Sequence, residues 1–392
     1  MNRFILDTEV QSFINRHLND DPVKMILSGS PFPQVSIQEL VEQIISKRKC
    51  KSKLPAWFKT ERIYYPNKLN IEQTSSEVTA RYKASLVSGE VLLDITGGFG
   101  VDDLAFAEKF EKVIHCEISK ELSEIVNHNY NKLNIKNIET VSDDGINYLK
   151  KNKQRFDWIY SDPSRRNDVK KRVFLLQDCL PDIPQNLDLL FDHTHNLMLK
   201  GSPILDISSS IAELKYVYEI HVVAVDNEVK ELLFLLKKGY NESVLIKTVN
   251  IKKDGKELFE SAFNSLTEAT FSLVESYLYE PNAAIMKAGL FNEVSYQFNL
   301  HKLHNNSHLY TSHNLIDFPG RRFRILQTSP YDRKKLKKMI PSGKASITTR
   351  NFPETVAQIR KKTGFKDGGD LYLFFTTDLN DKHLVLICEK VS

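Results

Sequence analysis

Cysteine is scarce in this sequence, with only Cys50, Cys116, Cys179 and Cys388 among 392 residues. No two of them form a Cys-x-x-Cys pair, so neither a redox dithiol nor a zinc ribbon is written here. Reduced thiols in a cytoplasmic protein are the expectation. No apolar run is long enough to span a bilayer. The opening Met1-Asn2-Arg3-Phe4-Ile5-Leu6 meets Asp7 and Glu9 before a secretory-type apolar stretch can form. Other absences are chemical. Without a Gly-x-Ser-x-Gly turn there is no strained serine nucleophile. Without a Pro-Cys dipeptide, covalent attack on a pyrimidine ring lacks its thiol. His301, His304, His308 and His313 lie close together but lack cysteine or acidic partners at zinc spacing, and no metal site is expected.

What is present begins with Val91-Leu92-Leu93-Asp94-Ile95-Thr96-Gly97-Gly98-Phe99-Gly100. An apolar run ends in an acid, a glycine-rich turn follows, and Val101 to Phe110 has helical spacing. A second apolar run, Val113-Ile114-His115-Cys116, ends in Glu117. This is the wiring of a nucleotide-type site at the carboxyl ends of two parallel strands. The glycines let the backbone bend tightly and come close to a ligand. The spacing departs from the G-x-G-x-x-G of pyrophosphate sites, and an acid three residues ahead of Gly97 repels a pyrophosphate. It suits an ammonium or a sulfonium instead. Glu117 is placed to accept ribose hydroxyls, with Ile118 beside it. Asp143 and Asp144 follow a third strand, where an adenine amino group would sit.

Short apolar runs alternate with helical patterns from about 76 to 250, which predicts an α/β fold with a doubly wound parallel sheet. Seven strands are expected at 91–95, 112–117, 137–141, 156–161, 202–207, 219–225 and 243–249. The last is placed at the edge, where it can run antiparallel. Helices are expected at about 101–110, 119–133, 144–151, 170–180, 185–199 and 228–238, and again near 256–278. Residues 1–75 read as a helical lead-in in which Ser36 and Glu39 form a capping box. Beyond Tyr279 the pattern changes to small α+β units. The expected division is a helical region over 1–75, a sheet domain over 76–255, a small domain over 278–320 and a basic domain over 321–392.

The fourth expected strand ends in Asp162-Pro163-Ser164-Arg165-Arg166. An acid there can hold an acceptor group by hydrogen bonds, a contribution that is chiefly positional. The turn has no aromatic to stack on a base, and its two arginines suit a phosphate or carboxylate. Charge is distributed unevenly. From Arg321 to Lys366 there are fourteen Lys or Arg against Asp332 and Glu354, a formal +12 that leaves −8 for the rest of the chain. A basic module joined to a mildly acidic one points to a polyanionic partner.

The order of parts over 76–250 resembles the class I S-adenosylmethionine-dependent methyltransferases. Carried onto this chain, the resemblance gives Asp94, Thr96, Gly97, Gly98 and Gly100 to the methionine end of the cofactor. It gives Glu117 to the ribose and Asp144 or Asp143 to the adenine, with Ile118 also among the cofactor-binding residues. Asp162, Pro163, Arg165 and Arg166 fall at the catalytic end of the fourth strand, where exocyclic-amine methyltransferases hold the target NH2. Further motifs are Ser75-Ser76-Glu77-Val78-Thr79-Ala80-Arg81-Tyr82-Lys83, Tyr279-Glu280-Pro281-Asn282-Ala283, Phe318-Pro319-Gly320-Arg321, Arg350-Asn351-Phe352-Pro353 and Gly368-Gly369-Asp370. Together they resemble a narrower bacterial group with a ferredoxin-like insert and a C-terminal THUMP-like domain. That resemblance implies S-adenosylmethionine as cofactor, and THUMP domains are associated with RNA binding, which agrees with the basic segment 321–366 and makes RNA the expected partner; the acceptor itself is not implied. A protein or small anionic acceptor is the alternative. So is a non-catalytic RNA-binding protein with a vestigial pocket.

Overall fold

The computed structural model describes residues 1–165, the last as backbone only, and 175–391. They form two compact units, Met1–Tyr218 with Leu232–Glu242, and Glu219–Glu231 with Ser243 onward.

The large sheet contains β1 (Gly89–Asp94), β2 (Phe110–Cys116), β3 (Ile138–Val141), β4 (Phe156–Ser161) and β5 (Thr194–Gly201). It continues with β6 (Val217–Val225), β7 (Glu228–Lys237), β8 (Leu245–Lys252) and β9 (Gly255–Ala262). Their order across the sheet is β9-β8-β6-β7-β5-β4-β1-β2-β3. β1 pairs in parallel with both β2 and β4, which brings the carboxyl ends of three strands side by side. The central strands are apolar on both faces, as strands covered by helices must be; Leu92, Leu93, Val113, Ile114 and Ile159 are all buried.

Several expected elements are corrected. The fifth strand is Thr194–Gly201 rather than 202–207, and the preceding helix stops at His193. Leu197-Met198-Leu199 are good helix formers that continue the periodicity of Leu187, Leu190 and Phe191, which hides the boundary. Residues 228–238 form β7, not a helix, and β7 runs antiparallel to β5. The turn before it has Asp226 and Asn227 both at positive φ, 49° and 64°, a pair typical of tight hairpins. The run Leu232-Leu233-Phe234-Leu235-Leu236 is a fully buried strand, which periodicity alone does not separate from a buried helix. The segment expected to be helical near 256–278 carries β9, and β9 rather than 243–249 forms the edge. The sheet therefore has nine strands, two beyond the expected seven. Of the expected helix at 170–180, residues 166–174 lie outside the described residues; 176–178 form one 3-10 turn.

In the first unit, α1 (Ile37–Lys53) starts at the expected Ser36/Glu39 capping box. α2 (Glu77–Ala84) leads into β1, α3 (Val101–Phe106) follows the glycine turn, and α4 (Lys120–Lys132) follows β2. α5 (Gly145–Lys151), α6 (Ile183–His193) and α7 (Ile207–Glu213) follow. The helical lead-in packs on the glycine turn: the buried Trp57 ring lies 4.6 Å from that of Phe99.

The second unit adds an eight-stranded sheet. Its strands are β10 (Thr270–Phe271), β11 (Tyr277–Pro281), β12 (His301–Lys302), β13 (Tyr310–Ser312), β14 (Gly320–Pro330), β15 (Ser346–Thr349), β16 (Leu371–Thr377) and β17 (His383–Val391), in the order β10-β12-β13-β11-β14-β17-β16-β15. Period-2 alternation sorts its core. Leu373, Phe375, Val385 and Ile387 pack with Leu336 and Ile359 from two short helices, while Phe374, Leu384 and Leu386 join Leu278 and Phe323 in a separate cluster.

A pH effect follows from β6. The Glu219 carboxylate pairs with His221 (3.0 Å) and with Lys247. The hydrogen bond from His221, then that from Lys247, outweigh burial and hold its pKa at about 2, below the usual 4.5. A depressed carboxyl stabilises the folded state fully above its unfolded pKa, and that stabilisation is lost as pH falls through the folded one. Glu219→Gln is therefore expected to be less stable than wild type at neutral pH. The gap should close between pH 4.5 and 2, as read by denaturant melts across that window.

Candidate active site

The expected site residues gather at the carboxyl ends of β4, β1 and β2. Asp94 is the last residue of β1, in register with His115 of β2 and Tyr160 of β4. Thr96 is the junction of the loops beyond. Its N–H and its hydroxyl both donate to Asp94 Oδ1, at 2.7 and 3.0 Å. Its oxygen accepts the N–H of Asp162 at 2.7 Å. On the other side, Gly98 N–H donates to Glu117 Oε2 at 2.9 Å, and Ser119 N–H donates to Oε1 at 2.7 Å. One network thus joins Asp94 to Asp162, and Glu117 is tied to the same glycine turn.

Two glycines have different reasons. A Cβ on Gly97 would lie 2.2 Å from the ring of the buried His115, so close packing behind the turn excludes it. A Cβ on Gly98 would meet only Thr96 O, at 3.7 Å, and its φ is +56°. Gly98 thus faces open space and leaves a bare cradle in front of the turn. Gly100 is the N-cap residue of α3, and the Tyr130 hydroxyl donates to its carbonyl at 2.9 Å.

The third acidic pair is largely engaged by its own chain. Asp144 caps α5 by accepting Asn147 N–H at 2.9 Å. Asp143 accepts Asp144 N–H and the Lys151 ammonium, the latter at 2.8 Å, which holds its pKa below the usual carboxylate range. The Cys116 thiol bonds the Asp143 carbonyl at 3.1 Å, so this turn stays close to the end of β2. Ile118 is 73% exposed, an apolar side chain presented to solvent beside the Glu117 carboxylate.

Asp94 itself is 2% exposed, and it faces acids as well as the loop. Burial, then the neighbouring Asp103, raises its pKa well above the normal range. Asp103 is raised likewise, by burial and then by Asp102. Asp103 also bonds His115 Nδ1 at 2.6 Å. Asp94 therefore belongs to a buried acidic group that supports the loop from behind.

A second buried network stands behind Asp162, and it was not fully visible in the sequence. Lys200, near the end of β5, pairs with Asp162 Oδ2 at 2.5 Å. Ser75 Oγ accepts from Lys200 (3.3 Å) and from Lys83 (3.1 Å) and donates to Asp102 Oδ2 (2.8 Å). Lys83 is wholly buried and pairs with Asp102 Oδ1 at 3.2 Å, while the Tyr160 hydroxyl donates to Oδ2 at 2.8 Å. Burial pushes the Asp102 pKa up, but Lys83 and Lys200 outweigh it and hold it low. Lys200 precedes Gly201-Ser202-Pro203 and reads as loop once β5 is placed too late; the correct strand puts it at the site. Ser76 and Thr79, in the same motif as Ser75 and Lys83, form a capping box on α2. Pro163 is half-buried, Arg165 is described as backbone paired with Cys179, and Arg166 lies outside the described residues.

In the second unit, three of the sequence motifs meet. Glu280 is nearly buried and takes Arg321 on one carboxylate oxygen and Arg350 on the other, the latter at 2.9 Å. Asn282 caps the next helix and donates to Glu257 at 3.1 Å. Next to this hub is a cavity of about 470 Å³, where Lys252, Lys256, Arg321, Arg322 and Lys390 outnumber Glu257 and Asp317, with Phe298 and Phe318 as apolar wall. The four histidines of 301–313 do not share one centre: His301 meets Thr270 and, with His313, approaches Glu275, whereas His304 meets Asp381 and His308 stacks on Phe291. Among the described residues no group of His, Cys, Asp and Glu is arranged to hold a metal, and no helix is long and apolar enough to cross a membrane.

The order β3-β2-β1-β4-β5-β7-β6, with β7 antiparallel to β5 and acids at the carboxyl ends of β1, β2 and β4, defines a class I methyltransferase fold. The C-terminal part of the chain matches two family models, a ferredoxin-like domain over 277–319 and a THUMP domain-like segment over 320–390. Over its whole length the chain is similar to a crystal structure from Porphyromonas gingivalis W83. That protein is described as a putative methyltransferase; the two are 31% identical, the match covers 100% of this chain and 99% of that one, and the TM-score is 0.90. The chain belongs to this family, class I methyltransferases with a ferredoxin-like segment and a THUMP-like end. A curated relative, an uncharacterized RNA methyltransferase of Mycoplasma mobile, is 38% identical over 77 residues, 20% of this chain. The chain spans about a fifth (21%) of that relative's length.

Proposed function

We propose that this protein transfers a methyl group from S-adenosylmethionine to RNA. The observation that carries the reading is that Glu117, the bare Gly98 turn and Asp162 lie at the carboxyl ends of adjacent strands, with Gly98 bonded to Glu117 and Thr96 bonded to Asp162. The donor set fits the cofactor. Glu117, oriented by two backbone N–H groups, keeps lone pairs for ribose hydroxyls. Ile118 would offer an apolar contact beside Glu117, and Asp143 or Asp144 would hold the adenine amino group. Gly98 lets the methionine end approach the backbone, while Asp94 shapes the loop through Thr96. The cofactor supplies an electrophilic methyl on a sulfonium. Asp162, with Pro163 and Arg165 in the same loop, faces the acceptor.

RNA is supported by the basic end of the chain and by the cavity beside Glu280, whose cations suit phosphates while Phe298 and Phe318 suit a base. Phosphate contacts make affinity fall with salt. Charge reversal of Arg322 and Lys390 is expected to reduce the slope of log affinity against log salt by about 1.4 to 1.8, from roughly 0.7 to 0.9 per contact.

The test of the whole reading is transfer from methyl-labelled cofactor to total RNA and, separately, to total protein, both from cells lacking this chain. Label is expected in RNA. Label confined to protein would count against RNA as the acceptor. Calorimetry that detects no binding of the cofactor would end the enzymatic reading.

A further inference from the structure

Lys200 and Asp162 form a pair whose chemistry bears on the acceptor. They lie 2.5 Å apart at the carboxyl end of β5 and β4. The Lys200 side chain is 11% exposed and braced by Ser75, which Lys83 and Asp102 hold in turn. Asp162 is fixed at its backbone by Thr96 and remains 35% exposed at its side chain. The cation is thus a built component of the site rather than a surface lysine that happens to be near.

An exocyclic amine is poorly served by this arrangement. Its two N–H groups need acceptors, and an ammonium offers only donors. Methylation also places positive charge on the nitrogen, which a cation beside the holding carboxylate opposes. The turn Asp162-Pro163-Ser164-Arg165 has no aromatic to stack a flipped base. A hydroxyl has the opposite needs. It is a weak nucleophile until its proton leaves, and it develops negative charge as it attacks. A carboxylate can take that proton while a neighbouring cation stabilises the forming alkoxide.

We infer that the acceptor is a hydroxyl oxygen, the ribose 2′-hydroxyl of RNA, with Asp162 as its base and Lys200 as the stabilising cation. The inference rests on the methyl-transfer reading above. The O–H bond breaks as the new O–CH3 bond forms, and the proton passes to Asp162. The methyl leaves sulfur, which keeps the bonding electron pair, so the products are a 2′-methyl ether and the neutral thioether. No oxidant or further reactant is needed.

A 2′-methyl ether blocks alkaline cleavage of the adjoining phosphodiester, whereas base methylation does not. RNA labelled by the wild-type protein is therefore hydrolysed in alkali and separated by size. Label in alkali-stable dinucleotides is the expected result. Label in mononucleotides overturns the hydroxyl assignment and leaves RNA methylation standing. Label only in protein, or none at all, overturns both. The second arm is Lys200→Met, expected to slow transfer by about 100-fold or more. S-adenosylhomocysteine affinity by calorimetry should be unchanged. The rate of the Met variant should climb more steeply with pH than that of wild type, and Lys200→Arg should recover at least part of the loss. A Met variant with wild-type rate and pH profile overturns the role of Lys200.

Discussion

An Asp162→Ala protein is expected to bind S-adenosylmethionine with near-normal affinity and to transfer methyl at about one-thousandth of the wild-type rate, within the range that loss of a general base produces. The split follows from where the groups sit. The Asp162 backbone N–H, which the substitution leaves intact, makes the tie to Thr96 and so to the glycine turn. The carboxylate is turned to Lys200 and to solvent. Removing it leaves the cofactor side unaltered and takes the proton acceptor from the acceptor side. Single-turnover transfer at saturating cofactor, set beside calorimetry, measures both halves. Equal loss of affinity and rate would mean that Asp162 mainly holds the loop.

The second large effect separates two adjacent glycines. Gly97→Ala drives a methyl to 2.2 Å from the His115 ring, which is fully buried and fixed by Asp103, and neither partner has room to yield. Overpacking of this kind costs roughly 2 to 3 kcal/mol, which in a domain of this size lowers the melting temperature by on the order of 5–10 °C. Gly98→Ala behaves differently. Its methyl enters open space in front of the turn, and the positive φ adds only about 1 to 2 kcal/mol of strain. The fold should survive while cofactor affinity drops at least ~10-fold, a loss of about 1.4 kcal/mol of binding energy. Thermal melts and calorimetry on both variants provide the comparison. A Gly98→Ala protein with undiminished affinity would mean that the cofactor does not lie against this turn.

The sequence was most legible where local chemistry is decisive. The acid-glycine turn and the Ser36 capping box both lie in the expected places. It was least legible where burial is complete. Leu197-Met198-Leu199 and Leu232 to Leu236 are apolar on every side, so they carry no period that separates strand from helix. That ambiguity also hid Lys200, because a side chain just ahead of a strand placed too late looks like loop. Ser75, Lys83 and Asp102 were obscured differently. Each is an ordinary residue alone, and only the packing of α2 and α3 beside β4 makes them a network.

Trp57 resting on Phe99 has a consequence for how this sheet can be used. The glycine turn is roofed by residues that come before the first strand, so the sheet is not a portable module. A graft that begins at β1 would bring the turn into water with its aromatic cover stripped away. Designers and evolution alike must move the leader and the loop as one piece.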